Sequence, residues 1–200
     1  MISDRYNPLP QLNVCTKGCF VLGSKESLTY IKVDSPALSV MTDLLQVQPV
    51  TVEPGDTIGQ ANQIMIVRSV RLLLVVETGG TRVIGVITAR DLLGEKPVRL
   101  ASHRGIRRDE LMVRDVMTTL DAMEAMDMDD VRASRVGHII ATLEKCGRQH
   151  AVVFEMSEDG RQILRGIFSA SQIARQLGVD MTTHEVARTF AEIEAVFAGV

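Results

Sequence analysis

The chain has 200 residues, 46% of them hydrophobic, and a formal net charge of −3. That is enough for one large or two small domains with a packed core, while the absence of Trp and an aromatic content of 4% leave no stacking platform for single-stranded nucleic acid. The negative balance argues against a binder of the phosphate backbone, and three Cys imply no disulfide framework and a reducing, cytoplasmic setting. Met1-Ile-Ser-Asp-Arg-Tyr-Asn-Pro8 lacks a basic segment followed by an apolar run, so no signal peptide is expected. No apolar run approaches the ~20 residues of a membrane span.

In chain order, residues 1–36 read as an irregular extension punctuated by Pro8, Pro10, Gly18, Gly23 and Pro36, with Leu28 to Val33 as its one strand. Ala37 to Leu45 reads as a short helix. Pro49-Val-Thr-Val-Glu-Pro54 is a strand between prolines, which suits a sheet edge. Gly55-Asp56-Thr57 offers helix-capping chemistry, and Ile58, Ala61, Ile64 and Met65 follow at helical spacing. Arg71 to Val76 and Arg82 to Ile87 form a hairpin across Thr78-Gly79-Gly80-Thr81. Thr88 to Leu93 is a short helix stopped by Gly94.

A charged stretch from Glu95 to Asp109, with Pro97 and Gly105, reads as a linker. The pattern then restarts. Val113 to Thr118 echoes Leu38 to Thr42, Ala122 to Met128 is a strand, and Arg132 to Lys145 is a helix with Val136, Ile139, Ile140 and Leu143 on its apolar face. The hairpin Gln149 to Phe168 and the helix Ser169 to Leu177 close the unit, and a further helix is expected over about 182–198. Gly85 and Gly166 are 81 positions apart (166 − 85), and Thr88 and Ser169 keep that offset.

An internal repeat of this kind decides the architecture. Each unit is helix, strand, helix, strand, strand, helix: α/β, with a three-stranded sheet too small to stand alone and completed by pairing with its twin about a pseudo-two-fold axis. The boundaries read as 1–36 extension, 37–97 first unit, 98–111 linker, 112–178 second unit and 179–200 C-terminal helix. The seam between the units is the natural ligand site.

The segments Leu38-Ser-Val-Met-Thr-Asp43, Gly85-Val-Ile-Thr-Ala-Arg-Asp91, Val113-Arg-Asp-Val-Met-Thr118 and Gly166-Ile-Phe-Ser-Ala-Ser-Gln172 resemble a tandem pair of CBS domains, the nucleotide-sensing modules named after cystathionine β-synthase. The resemblance covers roughly residues 37–178 and looks like a stand-alone CBS protein. It implies that Asp91 holds a ribose diol and that the Thr88 hydroxyl reaches a phosphate. It also implies that Thr51 and Val52, with Ile87, line a base pocket, and that two such chains associate as a homodimer.

The residues themselves allow a second account. Thr88 is equally suited to cap the helix and Asp91 to complement its dipole. A carboxylate that accepts from two neighbouring hydroxyls makes strong charge-assisted bonds. In the second unit Ser169 keeps the hydroxyl but Gln172 replaces the acid, so that cleft is expected to be weaker or vacant. Val52 also suits plain core packing. Arg71 and His150 open their strands, where each meets either phosphate or solvent. Arg104, Arg107 and Arg108 form a basic cluster expected to face water.

Cys15 and Cys19 lack the further ligands of a zinc site, and His138 sits beside an apolar stripe as a structural residue. Asp127, Asp129 and Asp130 lack the glycine and distal Glu of a calcium loop, and read as a solvated strand end. No nucleophile–base set has supporting context. Val186, Phe190, Ile193 and Phe197 make an apolar seam along the last helix, suited to a dimer contact.

The expected function is therefore a non-enzymatic sensor. It needs no cofactor, takes AMP, ADP, ATP or another adenosyl ligand between the units, and signals to a protein partner, with neither nucleic acid nor membrane involved. The alternative is an interaction protein whose clefts are vestigial.

Overall fold

The computed structural model describes residues 31–178. The first half of the expected Leu28 to Val33 strand, residues 28–30, lies outside these residues, and residues 31–33 are not in a strand. Cys15, Cys19 and the C-terminal helix with its Val186, Phe190, Ile193 and Phe197 seam lie wholly outside them.

A 3-10 turn over Ala37–Val40 leads into β1 (Thr42–Asp43), β2 (Thr51–Val52) and α1 (Ile58–Arg68). The hairpin β3 (Leu72–Val76) and β4 (Val83–Thr88) runs into α2 (Ala89–Leu93) and α3 (Glu95–Arg104). The second half has α4 (Val113–Val116), β5 (Thr118–Thr119), β6 (Ala125–Asp127), α5 (Met128–Ala133) and α6 (Val136–Lys145). It ends with β7 (His150–Met156), β8 (Gln162–Ser169) and α7 (Ala170–Gln176).

The expected α/β repeat is present, with one addition. Each sheet has four strands rather than three, in the orders β2-β3-β4-β5 and β1-β8-β7-β6. The halves exchange a strand: β1 pairs with β8, with Asp43 opposite Gly166, and β5 pairs with β4, with Thr119 opposite Gly85. Two-residue strands carry too weak a pattern to be read from sequence, so Ala37 to Leu45 looked like one helix. The expected helix is a single 3-10 turn. β2 lies at a sheet edge, where Pro49 and Pro54 cost no ladder bond.

Packing follows the exchange. Ala37 and Val40 are buried with Val136, Ile139, Phe168 and Ile173 of the second half. Leu111, Val113 and Val116 are buried with Ile58, Leu73, Ile87 and Leu92 of the first. A third cluster, Leu74, Val86 and Val152, joins the sheets face to face, with Leu72, Met123, Leu164 and Ile167 against it. Arg165 ties the exchanged strand down, forming ion pairs with Asp43 and with Glu155 at 3.1 Å.

The stretch read as a charged linker is largely helical. α3 buries Pro97 and Ala101, and proline is tolerated here because it lies in the first turn. The basic cluster is spent inside the chain. Arg104 pairs with Asp115 at 2.6 Å, Arg107 pairs with Asp109, and Arg108 donates to the Leu92 carbonyl at 2.7 Å. The helix expected from Arg132 to Lys145 is two helices, because the chain breaks at Ser134 and Arg135. His138 is structural: its Nδ1 accepts from the Arg135 amide at 3.0 Å and caps α6. Asp127 caps α5 by accepting from the Asp129 amide at 2.8 Å, and Asp129 pairs with Arg132 at 2.6 Å. Among the described residues no group of three or more His, Cys, Asp or Glu is placed to hold a metal ion. No helix there is long and apolar enough to cross a membrane.

Candidate functional site

Two clefts flank the seam between the sheets. The first, about 320 Å³, is lined from one half by Arg71, Leu72, Val86, Thr88 and Asp91, and from the other by Met123, Glu124, Arg148, His150 and Val152. The second, about 250 Å³, is lined by Thr42, Val50, Val70, Ser169, Gln172 and Arg175 among others. The repeat relates them. Leu72 faces Thr88 across its hairpin as His150 faces Ser169 across the other.

Thr88 and Asp91 form a capping box. The Asp91 amide donates to Thr88 Oγ1 at 3.3 Å, and the Thr88 amide donates to Asp91 Oδ2 at 2.9 Å. The Thr88 hydroxyl also donates to Oδ2, at 2.7 Å. Both residues are partly buried and line the first cleft, so the structural and ligand accounts of this pair are compatible. The cap engages one carboxylate oxygen and holds the side chain facing the cleft. In the second cleft Ser169 makes no side-chain cap. Its hydroxyl lies 3.1 Å from that of Ser171, and Gln172 Oε1 accepts from Thr42 at 3.3 Å.

Arg71 and His150 line both clefts and so form part of the wall between them. Burial above all, with the Arg71 charge, pushes the His150 pKa down to about 4, against an opposing pull from Asp91. The imidazole is therefore neutral near pH 7. Its folded pKa lies below its ordinary value of 6.5, so the stability it contributes is present above that pH and is lost as pH falls through about 4. His150→Leu, which copies Leu72 of the first half, is expected to flatten the loss of stability between pH 6.5 and 4. Denaturant melts across that range compare the two slopes, and parallel slopes would refute the assignment.

Not every residue expected at the site is there. Val52 and Ile87 are 3% and 0% exposed and belong to the first core. Thr51 is exposed on an outer groove with Gln63 and Arg68. All three sit away from the cleft walls: Val52 and Ile87 face the first core, and Thr51, on the opposite face of β2, lies on the outer edge strand.

Met123, Glu124 and Arg148 were missed. Gly147, at φ 60°, ends α6 in a left-handed turn that carries the chain to Arg148, whose amide donates to the Leu143 carbonyl at 3.0 Å. After α1, Ser69 does the same at φ 52° and delivers Val70. The sequence signal was the residue two before His150.

The model for the CBS domain matches residues 38–97. That stretch of the chain is a CBS domain. The fold is similar to that of a conserved protein from Pyrococcus horikoshii, 20% identical, with a TM-score of 0.52 over 77% of this chain and 100% of that one. CBSX2 from Arabidopsis thaliana, solved in complex with AMP, is 19% identical, with a TM-score of 0.47 over 70% and 94% of the two chains. A CBS-domain containing protein from Agrobacterium tumefaciens is 23% identical, with a TM-score of 0.47 over 66% and 88%. Comparison with curated protein sequences returns no match.

Proposed function

We propose that this CBS pair is a regulatory module without a reaction of its own, which binds an adenosyl ligand such as AMP, ADP or ATP in the first cleft. The observation that carries this reading is the layout of that cleft. A carboxylate locked beside a hydroxyl, Asp91 and Thr88, stands in one slot with the cations Arg71 and Arg148 and the apolar surfaces of Leu72, Val86, Met123 and Val152. The carboxylate suits a ribose diol, the cations a phosphate, and the apolar surface a base.

The ligand would touch both halves at once. It therefore favours whichever arrangement of the halves fits it better, and only that differential affinity transmits a signal. The same reading has the chain acting as a homodimer that reports occupancy to a protein partner, since a module without chemistry acts only through what it contacts. Isothermal titration with AMP, ADP, ATP and adenosine tests it. A ligand at 100 times its dissociation constant stabilises the fold by about 2.7 kcal/mol. No heat and no melting shift with any of the four would leave an interaction protein with vestigial clefts.

The same titration tests the difference between the clefts. With Gln172 turned to Thr42 instead of an acid, one strong site per chain is expected, and Gln172→Asp should add a second. Two equal sites in the unaltered chain would show that the acid is dispensable.

A further inference from the structure

The two clefts also differ at one corner. Arg148 and Glu124 both line the first cleft and are ion-paired, Nη2 to Oε2, at 3.2 Å. The corresponding corner of the second cleft holds two valines. Val70 corresponds to Arg148, because each follows the left-handed residue that ends its helix. Val50 corresponds to Glu124, because each stands two residues before the partner of an equivalent strand position: Val52 lies beside Val75, and Met126 beside Val153. Both valines line the second cleft. An ion pair in one copy against two aliphatic side chains in the other is a difference in chemistry at an otherwise repeated position.

The pair is not there to hold the fold. Its side chains are 43% and 76% exposed, and exposed pairs contribute little to stability. It does set the charge of the cleft mouth. The Arg148 guanidinium is well suited to a phosphate, since its planar fork accepts a tetrahedral anion in two places. The Glu124 carboxylate already occupies part of that fork.

We infer that Glu124 is a built-in competitor for Arg148, a latch that an anionic ligand must displace to enter the first cleft. The inference rests on the reading of that cleft as a nucleotide site and concerns how its affinity is set. The carboxylate acts twice, by holding the guanidinium and by repelling incoming negative charge. It leaves neutral ligands alone, so it sharpens discrimination by charge rather than by base. Both charges meet solvent, so the effect fades as salt rises.

The test is a double-mutant cycle read by calorimetry with AMP and adenosine, using Glu124→Gln, Arg148→Gln and the double variant, with melting curves to confirm that each folds. Glu124→Gln is expected to tighten AMP three- to tenfold at low salt and to leave adenosine within twofold. Arg148→Gln is expected to weaken AMP, and on that background the Glu124 substitution should lose most of its effect. If the unaltered chain binds AMP and Glu124→Gln binds it no tighter, the latch is wrong and the cleft assignment stands. A gain that persists without Arg148, or that extends to adenosine, also overturns the latch. Failure of AMP, ADP, ATP and adenosine alike to bind any of the four proteins overturns both.

Discussion

Gly85→Ala is expected to destabilise the chain by about 3 kcal/mol, near the upper end for an inserted methyl group that cannot be accommodated. At this chain length that lowers the melting temperature by roughly 6–12 °C. A Cβ at Gly85 would fall directly against the Thr118 carbonyl oxygen, with the Thr118 carbonyl carbon and the Thr119 Cα 3.3 Å away. All three are backbone atoms of β5, the strand lent by the second half. They cannot move without parting β5 from β4, and Thr118 also lines the first cleft.

The twin position supplies the control. A Cβ at Gly166 would meet the Met41 side chain, with Cγ at 2.8 Å and Cε at 3.0 Å. An unbranched thioether adapts readily, so Gly166→Ala is expected to cost only about 1 kcal/mol. Circular dichroism melts of the two variants decide the point. Equal losses, or a Gly85 variant that melts within 2 °C of the unaltered chain, would show that the exchanged strand yields.

Asp91→Ala should weaken AMP at least tenfold. Losing one charge-assisted hydrogen bond to a ribose costs ~1.5–3 kcal/mol, and the unaltered chain should already bind 2′,3′-dideoxy analogues poorly. The same substitution removes one side of the capping box at α2, which should cost about 1 kcal/mol of stability. Asp91→Asn separates the two effects. Its amide oxygen can still accept from the Thr88 amide, so the fold should hold while the charge that strengthens the ribose bonds is gone. Calorimetry that shows full AMP affinity in Asp91→Asn, and no penalty for the dideoxy analogue, would make Asp91 a cap and nothing more.

The two glycines show where sequence reading stops. Their recurrence with Thr88 and Ser169 after each was plain, and it was enough to declare a repeat. Their purpose was not legible, because what they make room for is a strand 33 residues away in one case (118 − 85) and the Met41 side chain 125 residues away in the other (166 − 41). Pairings of that range leave no periodicity behind, and strands of two residues hardly leave a pattern at all. The basic cluster was legible in part. Arg104, Arg107 and Arg108 are solvated surface, as their charges suggested, but Arg104 and Arg108 are also held by Asp115 and by the Leu92 carbonyl, partners that only folding brings near.

At the site the division is similar. Thr88, Asp91, Arg71 and His150, singled out by their places at strand ends and helix starts, all line the first cleft, because local pattern determines such places. Val52 packs in the core, as its residue type suits, and Ile87 lies there with it; which face of a strand meets the cleft depends on how the two sheets are set against each other. The repeated order of helices and strands, the glycine-hydroxyl junctions and the missing acid at Gln172 were determined by sequence alone, since each is a matter of local spacing and residue type. The tertiary structure alone decided that the halves exchange strands, that one cleft corner carries an ion pair where its twin carries two valines, and that His150 is held neutral. Each of these depends on distances between residues far apart in the chain, and packing sets those distances.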